Sequence, residues 1–292
     1  MTKPTILVTG ATGKTGAHVV EQLIKKGFPV RALVHRRDER SARLTSLGAH
    51  VVEGDFLDAE SLRAPMAGVK RAYFCYPVTD RLLEGTTNFA LVAKEVGLEA
   101  IVNMSQIIAR EGHPSPLTRQ HWLAERVLDW AGIGATHIRP TFFAENPLMF
   151  NAAGIAGEGK LYQPHGDGRH AAVTSEDIAR VVVGVLTDPG PHIGKVYKVT
   201  GPEALSQKEM AATFSRILGR PVEYVDLPLE RWQKAMADAG LPPFAIAHLS
   251  YVSEDHKNGA FDQVTDVVRK VGGRPPRTFE DFVRDNAEAF SA

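Results

Sequence analysis

The sequence predicts an α/β fold, in which a doubly wound parallel sheet is joined to a smaller, loop-rich lobe. In the first 140 residues, short apolar runs alternate with amphipathic helical runs, which is the order of β-α-β units with right-handed crossovers. After Pro140 the alternation stops, and the residues up to 172 are rich in Gly, Asn, Pro and His. We therefore place one domain at residues 1–145 and the smaller lobe at 146–292, interleaved with the first rather than independent of it.

The first domain is expected to contain six strands. Most of these runs lack polar alternation, as is typical of parallel strands that helices cover on both faces. The helices lie between the strands, and Gly27 is expected to end the first of them. The predicted strands are residues 5–9, 30–34, 50–53, 71–76, 100–104 and 136–139, and two of the predicted helices are 82–96 and 117–130.

The second half is expected to have fewer regular elements. Helices are predicted over residues 175–186 and 206–218, and a strand over 195–200. Residues 141–172 are predicted to form long loops with one short helix. From Pro228 onward we expect helices separated by proline-rich breaks.

Composition narrows the class of protein. Lys and Arg together number 34, as do Asp and Glu, so the formal net charge is zero, and we expect no nucleic-acid partner. Cys75 is the single cysteine, which excludes an intrachain disulfide framework. Neither a signal peptide pattern nor a membrane-spanning apolar run is present in the sequence. We expect a cytoplasmic monomer or homodimer that does not associate with membranes.

A glycine-rich segment directly follows the first predicted strand and opens the first helix. Residues 10–16 read Gly-Ala-Thr-Gly-Lys-Thr-Gly. In such a turn, glycines permit the tight bend, the close approach of a pyrophosphate and close helix packing, and the helix N-terminus attracts phosphate. This context predicts a Rossmann-type, NAD(P)-binding domain, with a ligand-free glycine turn as the alternative. The expected cofactor contacts of this turn are Gly10, Thr12, Gly13, Lys14, Thr15 and Gly16.

The end of the second strand bears on the choice of cofactor. Arg36 lies twenty residues past Gly16, with Arg37 beside it. A guanidinium matches a 2′-phosphate and cannot accept a hydrogen bond from a ribose hydroxyl. We therefore expect NADP(H) to be preferred, with NAD(H) possible. The alternative is a solvated cluster of charges, because acidic and basic residues follow at 38–40.

Further cofactor contacts are expected where the third and fourth strands end, because ligands of such sheets bind at the carboxyl ends of the strands. Asp55 and Phe56 follow the third strand, and Tyr76 and Pro77 end the fourth. Asp55 is expected near the adenine amino group and Phe56 near its ring. Asp58 is expected to cap the next helix, a structural role that is compatible with both.

The glycine spacing is similar to that of the short-chain dehydrogenase superfamily, whose usual acid is a Tyr with a Lys four residues later. Here that segment has His121 and Glu125 instead. With this departure the chain resembles the NmrA-like family of atypical short-chain dehydrogenases, over nearly its whole length but less clearly after Leu227. The segments that carry the resemblance further are residues 138–146, 166–169, 174–179 and 201–206.

The resemblance implies a function as well as a fold. The family includes quinone reductases and triphenylmethane dye reductases, together with regulators that bind the cofactor without turning it over. We therefore expect an NAD(P)H-dependent oxidoreductase that transfers a hydride to a flat aromatic or quinone-type molecule. The alternatives are a non-catalytic, NADP-binding redox sensor and an isomerase or tailoring enzyme of an aromatic metabolite.

Candidate catalytic groups are few. Ser105 follows the fifth strand, at the place where ordinary short-chain dehydrogenases have the Ser that orients the substrate, and we also expect it to contact the cofactor. His121 is the most plausible proton donor, because an unperturbed imidazole titrates near neutral pH. A purely structural role for His121 is equally open. Glu125 lies one helical turn later and could pair with it.

The segment after the sixth strand is expected to complete the site. Thr141, Phe142 and Phe143 are predicted to contact the nicotinamide. Each aromatic residue could instead belong to the core, but together they predict a pocket for a flat substrate. The histidines at 165, 170 and 192 are too scattered for metal-ligand spacing, so we predict no metal. The expected substrate contacts are Asn146, Phe150, Tyr162 and His165.

Overall fold

The computed structural model describes residues 3–291, and the chain divides into two compact units. Unit 1 comprises the chain up to Arg139, together with Ser175–Lys198 and Lys270–Gly273; unit 2 comprises Pro140–Thr174, Val199–Arg269 and the chain from Arg274 onward. Both units are discontinuous in sequence. The boundary after residue 145, with the smaller lobe interleaved with the first domain, stays a prediction. The assignment of the second lobe to substrate binding stays a prediction.

The described residues form eleven strands and thirteen α-helices. The strands are β1 (Ile6–Val8), β2 (Val30–Val34), β3 (His50–Glu53), β4 (Arg71–Phe74), β5 (Ala100–Met104), β6 (Ala135–Pro140), β7 (Lys160–Gln163), β8 (Arg169–His170), β9 (Val196–Val199), β10 (Leu205–Ser206) and β11 (Glu223–Asp226). The helices are α1 (Lys14–Lys25), α2 (Glu39–Ser46), α3 (Ala59–Met66), α4 (Leu82–Glu95), α5 (Pro116–Ala131), α6 (Asn146–Phe150), α7 (Ala152–Glu158), α8 (Ser175–Thr187), α9 (Gln207–Leu218), α10 (Leu229–Asp238), α11 (Pro243–Lys257), α12 (Val267–Gly272) and α13 (Phe279–Asp285).

The main sheet has the order β3-β2-β1-β4-β5-β6-β9. Strands β1 to β6 pair in parallel, which confirms the predicted doubly wound α/β fold. Buried apolar residues such as Leu7, Phe74 and Ile101 form the core of unit 1. The strand order reverses direction at β1, and this is the place in such sheets where the carboxyl ends of the strands leave a crevice for a ligand.

Unit 2 has its own core, which includes Phe214, Phe279 and Phe290. Its strands form two small sheets, in which β7 pairs in parallel with β11 and β8 pairs in an antiparallel manner with β10. The expectation of long loops with one short helix over residues 141–172 is therefore wrong, because α6, α7, β7 and β8 lie there. Strands β7 and β8 pair with β11 and β10, which come much later in the chain, so the local sequence does not show this pairing.

No helix within residues 3–291 combines the length and the apolar character that crossing a bilayer requires.

Candidate functional site

The glycine-rich turn of unit 1 is closed by contacts that only glycine allows. Gly10 adopts a positive φ of 56°, and its carbonyl oxygen accepts a hydrogen bond of 2.9 Å from the Gly13 N–H. A β-carbon at Gly16 would clash with that same carbonyl oxygen. The three glycines thus hold the backbone of the turn against the start of α1, which leaves a cradle that no β-carbon fills at these three positions.

The N-terminus of α1 offers donors to this cradle. Gly13 is the N-cap and provides no side-chain hydrogen bond, and the first turn carries no acidic residue. Gly13 and Lys14 are exposed, Thr12 is half-buried and Thr15 is buried. A helix start with this positive end and no acidic residue in its first turn suits an anion. The residues present therefore fit the phosphates of a dinucleotide.

The two arginines after β2 differ in what they contact. Arg37 donates from Nε to Glu53 Oε1 at 3.0 Å and from Nη2 to the Val51 carbonyl at 2.8 Å. Arg36 is exposed and forms no ion pair with any residue between 3 and 291. Of the two guanidiniums, that of Arg36 is the one left for a phosphate group.

The carboxyl ends of β3 and β4 are closely packed. Asp58 accepts a hydrogen bond from the Glu60 N–H at 3.0 Å and caps α3, which confirms its expected structural role. Asp55 accepts one from the Leu57 N–H at 2.9 Å. Phe56 contacts Tyr76 edge-on, with their ring centroids 5.2 Å apart. Both rings are partly buried and pack against the core of unit 1. Each therefore has a structural role, whether or not it also contacts a ligand.

Pro77, the last of the predicted contacts at these strand ends, is exposed.

A buried polar cluster that the sequence analysis missed lies at the end of β5. Glu125 is fully buried and accepts from Arg139 Nε at 2.8 Å and Nη2 at 2.6 Å. The Ser105 hydroxyl donates to the same carboxylate at 2.5 Å. Ser105 therefore uses its proton within unit 1 and keeps only its oxygen lone pairs for a ligand. The signal that could have revealed the cluster is the adjacency of β5 and β6, which places Ser105 beside residue 138.

His121 is buried on α5, one turn before Glu125. The carboxylate of Glu125, which could pair with His121, is bound by Arg139 and Ser105, and a pairing of His121 with Glu125 stays a prediction.

Unit 2 contains an open cavity with about 630 Å³ of empty space, part of it open to solvent. Aromatic rings, aliphatic side chains, imidazoles and carboxamides form its wall, and no acidic side chain, Lys or Arg is among the described residues that line it. The lining residues are Phe142, Phe143, Asn146, Pro147, Phe150, Asn151, Leu161, Gln163, Pro164, His165, His170, Gln207, Met210, Trp232, Leu249 and Val252.

Three of the four predicted substrate contacts, Asn146, Phe150 and His165, come together in this wall. Tyr162 is not among the described lining residues. Its neighbours in β7 line the cavity, and successive side chains of a strand point to opposite faces. The Tyr162 hydroxyl instead donates to Glu158 at 2.8 Å.

The segment after β6 also belongs to unit 2. Phe142 and Phe143, which we expected at the nicotinamide, line the cavity of unit 2. Thr141 is buried and donates from its hydroxyl to the Ala171 carbonyl.

Three imidazoles surround Phe142 in unit 2. His170 Nδ1 lies 2.8 Å from His256 Nε2, and the rings of His165 and His256 stack with centroids 4.2 Å apart. Burial holds the pKa values of His165 and His170 well below the ordinary range and lowers the pKa of His256 to about 4. All three are therefore neutral at pH 7.

No local sequence pattern predicts this cluster, because His256 lies 86 positions after His170 and further still after His165, and it touches both. No group of three or more His, Cys, Asp or Glu side chains in the described part of the chain is arranged to hold a metal ion.

Comparison with known proteins agrees with this architecture. The model of the NmrA-like family matches residues 2–283. An NAD(P)H azoreductase of Xenophilus azovorans is 36% identical over 299 residues, which cover 98% of this chain and 99% of the relative.

Two solved structures extend the comparison. The NADPH-dependent quinone oxidoreductase QOR2 of Escherichia coli, complexed with NADPH, has a TM-score of 0.86 and 27% identity, covering 96% of this chain and 99% of its own. The negative transcriptional regulator NmrA in complex with NADP has a TM-score of 0.81, covering 98% of this chain and 95% of its own. At 20% identity the second likeness shows a shared fold alone.

Proposed function

Since this chain belongs to the NmrA-like family, we propose that it is an NADP(H)-dependent reductase of flat, uncharged quinones or related aromatic electrophiles. The observation that carries the proposal is the cavity of unit 2, whose described lining is largely aromatic and aliphatic, with imidazoles and carboxamides but no acidic side chain, Lys or Arg. The names of the azoreductase relative and of the quinone oxidoreductase support the same class of reaction.

Unit 1 would bind the cofactor. The backbone of the turn at residues 10–16 and the N-terminus of α1 would hold the pyrophosphate, and Arg36 would hold the 2′-phosphate of NADP(H). Asp55, Phe56, Tyr76 and Pro77 would lie along the adenosine part. When bound, the reduced nicotinamide supplies a hydride.

Unit 2 would bind the substrate. Phe142, Phe150 and Trp232 give the cavity flat apolar surfaces, which suit an aromatic ring. A charged substituent would lose its hydration without gaining an ionic partner from this wall, which is unfavourable. We therefore propose that the cavity selects uncharged rings. Asn146 and His165 are proposed as polar contacts of the bound substrate.

Reduction of a quinone to a hydroquinone consumes the hydride and one proton. The Ser105 proton is held by Glu125, so Ser105 would orient a ligand through its oxygen. His121 stays our candidate proton donor, because an imidazole can exchange a proton near neutral pH. A cytoplasmic location and a monomeric or homodimeric state also remain proposals.

The test follows NADPH absorbance with two matched acceptors, 1,2-naphthoquinone and its 4-sulfonate. We expect turnover with the uncharged quinone and a kcat/KM at least about tenfold lower for the sulfonate, equivalent to about 1.4 kcal/mol. Gln163→Lys, which adds a cation to the wall, should reduce the difference in kcat/KM between the two quinones. NADPH binding without turnover of any uncharged quinone would contradict the proposal and favour the non-catalytic sensor.

A further inference from the structure

We propose that His170 presents an N–H to the cavity of unit 2 and donates a hydrogen bond to the carbonyl oxygen of the bound substrate. This inference rests on the proposed function and adds the group that recognises the oxygen. His170 was not among the residues that the sequence singled out for substrate binding. Whether His170 can donate depends on which nitrogens carry protons in His170, His256 and Gln207, which lie next to one another.

One proton is shared between His170 and His256. Their nitrogens, Nδ1 and Nε2 respectively, are 2.8 Å apart, so one of them must donate and the other accept. The carboxamide nitrogen of Gln207 lies 3.4 Å from the same His170 Nδ1, and a carboxamide nitrogen only donates. With the Gln207 carboxamide oriented as in this structure, His170 Nδ1 is the acceptor, and His256 Nε2 carries the shared proton.

Because the three imidazoles are neutral, the accepting Nδ1 fixes which nitrogen of His170 carries the proton. A neutral imidazole carries one proton, so an accepting Nδ1 requires the proton on Nε2. Burial of the ring disfavours the doubly protonated form. His170 Nε2 is therefore an N–H donor of fixed identity at neutral pH.

His170 lines the cavity, and its Nε2 forms no hydrogen bond with any residue between 3 and 291. The backbone of His170 is fixed by the pairing of β8 with β10, where it lies opposite Leu205, and Phe142 packs against its ring at 4.8 Å. The donor is thus held in place before a ligand arrives, which limits the ordering entropy of binding.

The consequence is a preference for ligands with a hydrogen-bond acceptor over equally flat ligands without one. A carbonyl oxygen gains negative charge as a hydride adds to the quinone, so a neutral imidazole N–H would also strengthen its bond as the reaction proceeds. The opposite tautomer would present a lone pair and would favour a hydroxyl ligand instead.

The experiment compares 2-methyl-1,4-naphthoquinone with 2-methylnaphthalene, which has the same rings but no oxygen. Binding to the full chain is measured by calorimetry with saturating NADP⁺, so that no turnover occurs. We expect the wild type to prefer the quinone about tenfold, or about 1.4 kcal/mol. His170→Phe should abolish this preference without weakening the binding of 2-methylnaphthalene. His170→Gln, whose side-chain amide restores a donor, should recover part of it.

A matched control removes an imidazole elsewhere. His192→Phe loses a hydrogen bond to the Tyr197 hydroxyl in unit 1 and should leave the preference unchanged. A preference that survives His170→Phe would overturn the assignment. If the wild type binds both rings equally, His170 is not the donor, whereas binding of neither ring would contradict the proposed function as well.

A measurement on the wild type avoids dependence on the folding of the variants. With ¹⁵N-labelled histidine, the Nε2–H resonance of His170, assigned by its loss in His170→Gln, should move on saturation with the quinone. It should move much less with the hydrocarbon. Equal responses to the two ligands would overturn the proposal.

Discussion

The turn after β1 takes all its groups from seven consecutive residues, whereas the cavity of unit 2 takes its wall from positions as distant as Phe142 and Val252. In the proposed function, the turn would bind the cofactor phosphates through backbone N–H groups, at positions where glycines leave out β-carbons. The cavity would bind the substrate through side chains, and the hydrogen bonds that it offers depend on which imidazole nitrogen carries a proton. The turn is therefore vulnerable to added volume, and the cavity to changes in packing and protonation.

The largest expected effect tests the vulnerability of the turn. Gly16→Ala places a methyl group against the Gly10 carbonyl oxygen. The turn must therefore shift, and its N–H groups no longer point toward the phosphates of the proposed cofactor. We expect NADPH binding to weaken about 100-fold or more, equivalent to about 3 kcal/mol. Fluorescence titration with NADPH measures the change.

The matched control for Gly16 is Gly157→Ala in α7, where an added β-carbon meets no atom within 4 Å. This variant should bind NADPH as the wild type does. Similar affinities for Gly16→Ala and the wild type would show that the close approach of the turn is not what binds the cofactor.

The second prediction tests the cavity through its protonation. The pKa of His256 is about 4 against an ordinary 6.5, so between these pH values the unfolded chain binds a proton that the folded chain does not. The free energy of unfolding should therefore fall as pH drops from about 7 to 4, by about 3 kcal/mol from this group alone. Urea unfolding followed by fluorescence at several pH values measures the slope.

His256→Gln provides the comparison, because its amide cannot titrate in this range. Its stability should depend less on pH between 7 and 4 than that of the wild type, although the buried His165 and His170 still contribute. Parallel stability curves for the two proteins would contradict the buried, neutral state of His256.

The third prediction concerns the choice of cofactor within unit 1. Arg36→Ala should weaken NADPH binding by about 1.5–3 kcal/mol, the range for a hydrogen bond to a charged group, and leave NADH nearly unchanged. Arg37→Ala should have a smaller effect on NADPH, because Arg37 is already bound to Glu53 and the Val51 carbonyl. Equal losses for both cofactors in Arg36→Ala would remove the case for a 2′-phosphate contact.

The difference between the two regions also explains what the sequence could predict. The strands β2, β3 and β5 have the bounds that the apolar runs predict, because a buried parallel strand is a local pattern. The glycine turn is also local, and so is the helix cap at Asp58. Each of these features depends on residues only a few positions apart.

The cavity could not be predicted in the same way. His170 meets His256 across 86 positions, and no spacing rule relates them. Strand β7 exists because β11 pairs with it, which also decides that Leu161 and Gln163 face the cavity while Tyr162 does not. The Glu125–Arg139 pair likewise depends on the adjacency of α5 and β6. In each case the deciding contact is made in three dimensions.

The smallest expected effect sharpens the outline of the cavity. Tyr162 donates its hydroxyl to Glu158 outside the wall, so Tyr162→Phe removes one hydrogen bond between partly exposed groups and should change KM for a quinone by less than about twofold. Phe150→Ala, which removes a ring from the wall, should raise KM several-fold more than that. Steady-state kinetics with 2-methyl-1,4-naphthoquinone compares the two variants. A larger rise in KM for Tyr162→Phe than for Phe150→Ala would mean that the substrate binds on the opposite face of β7.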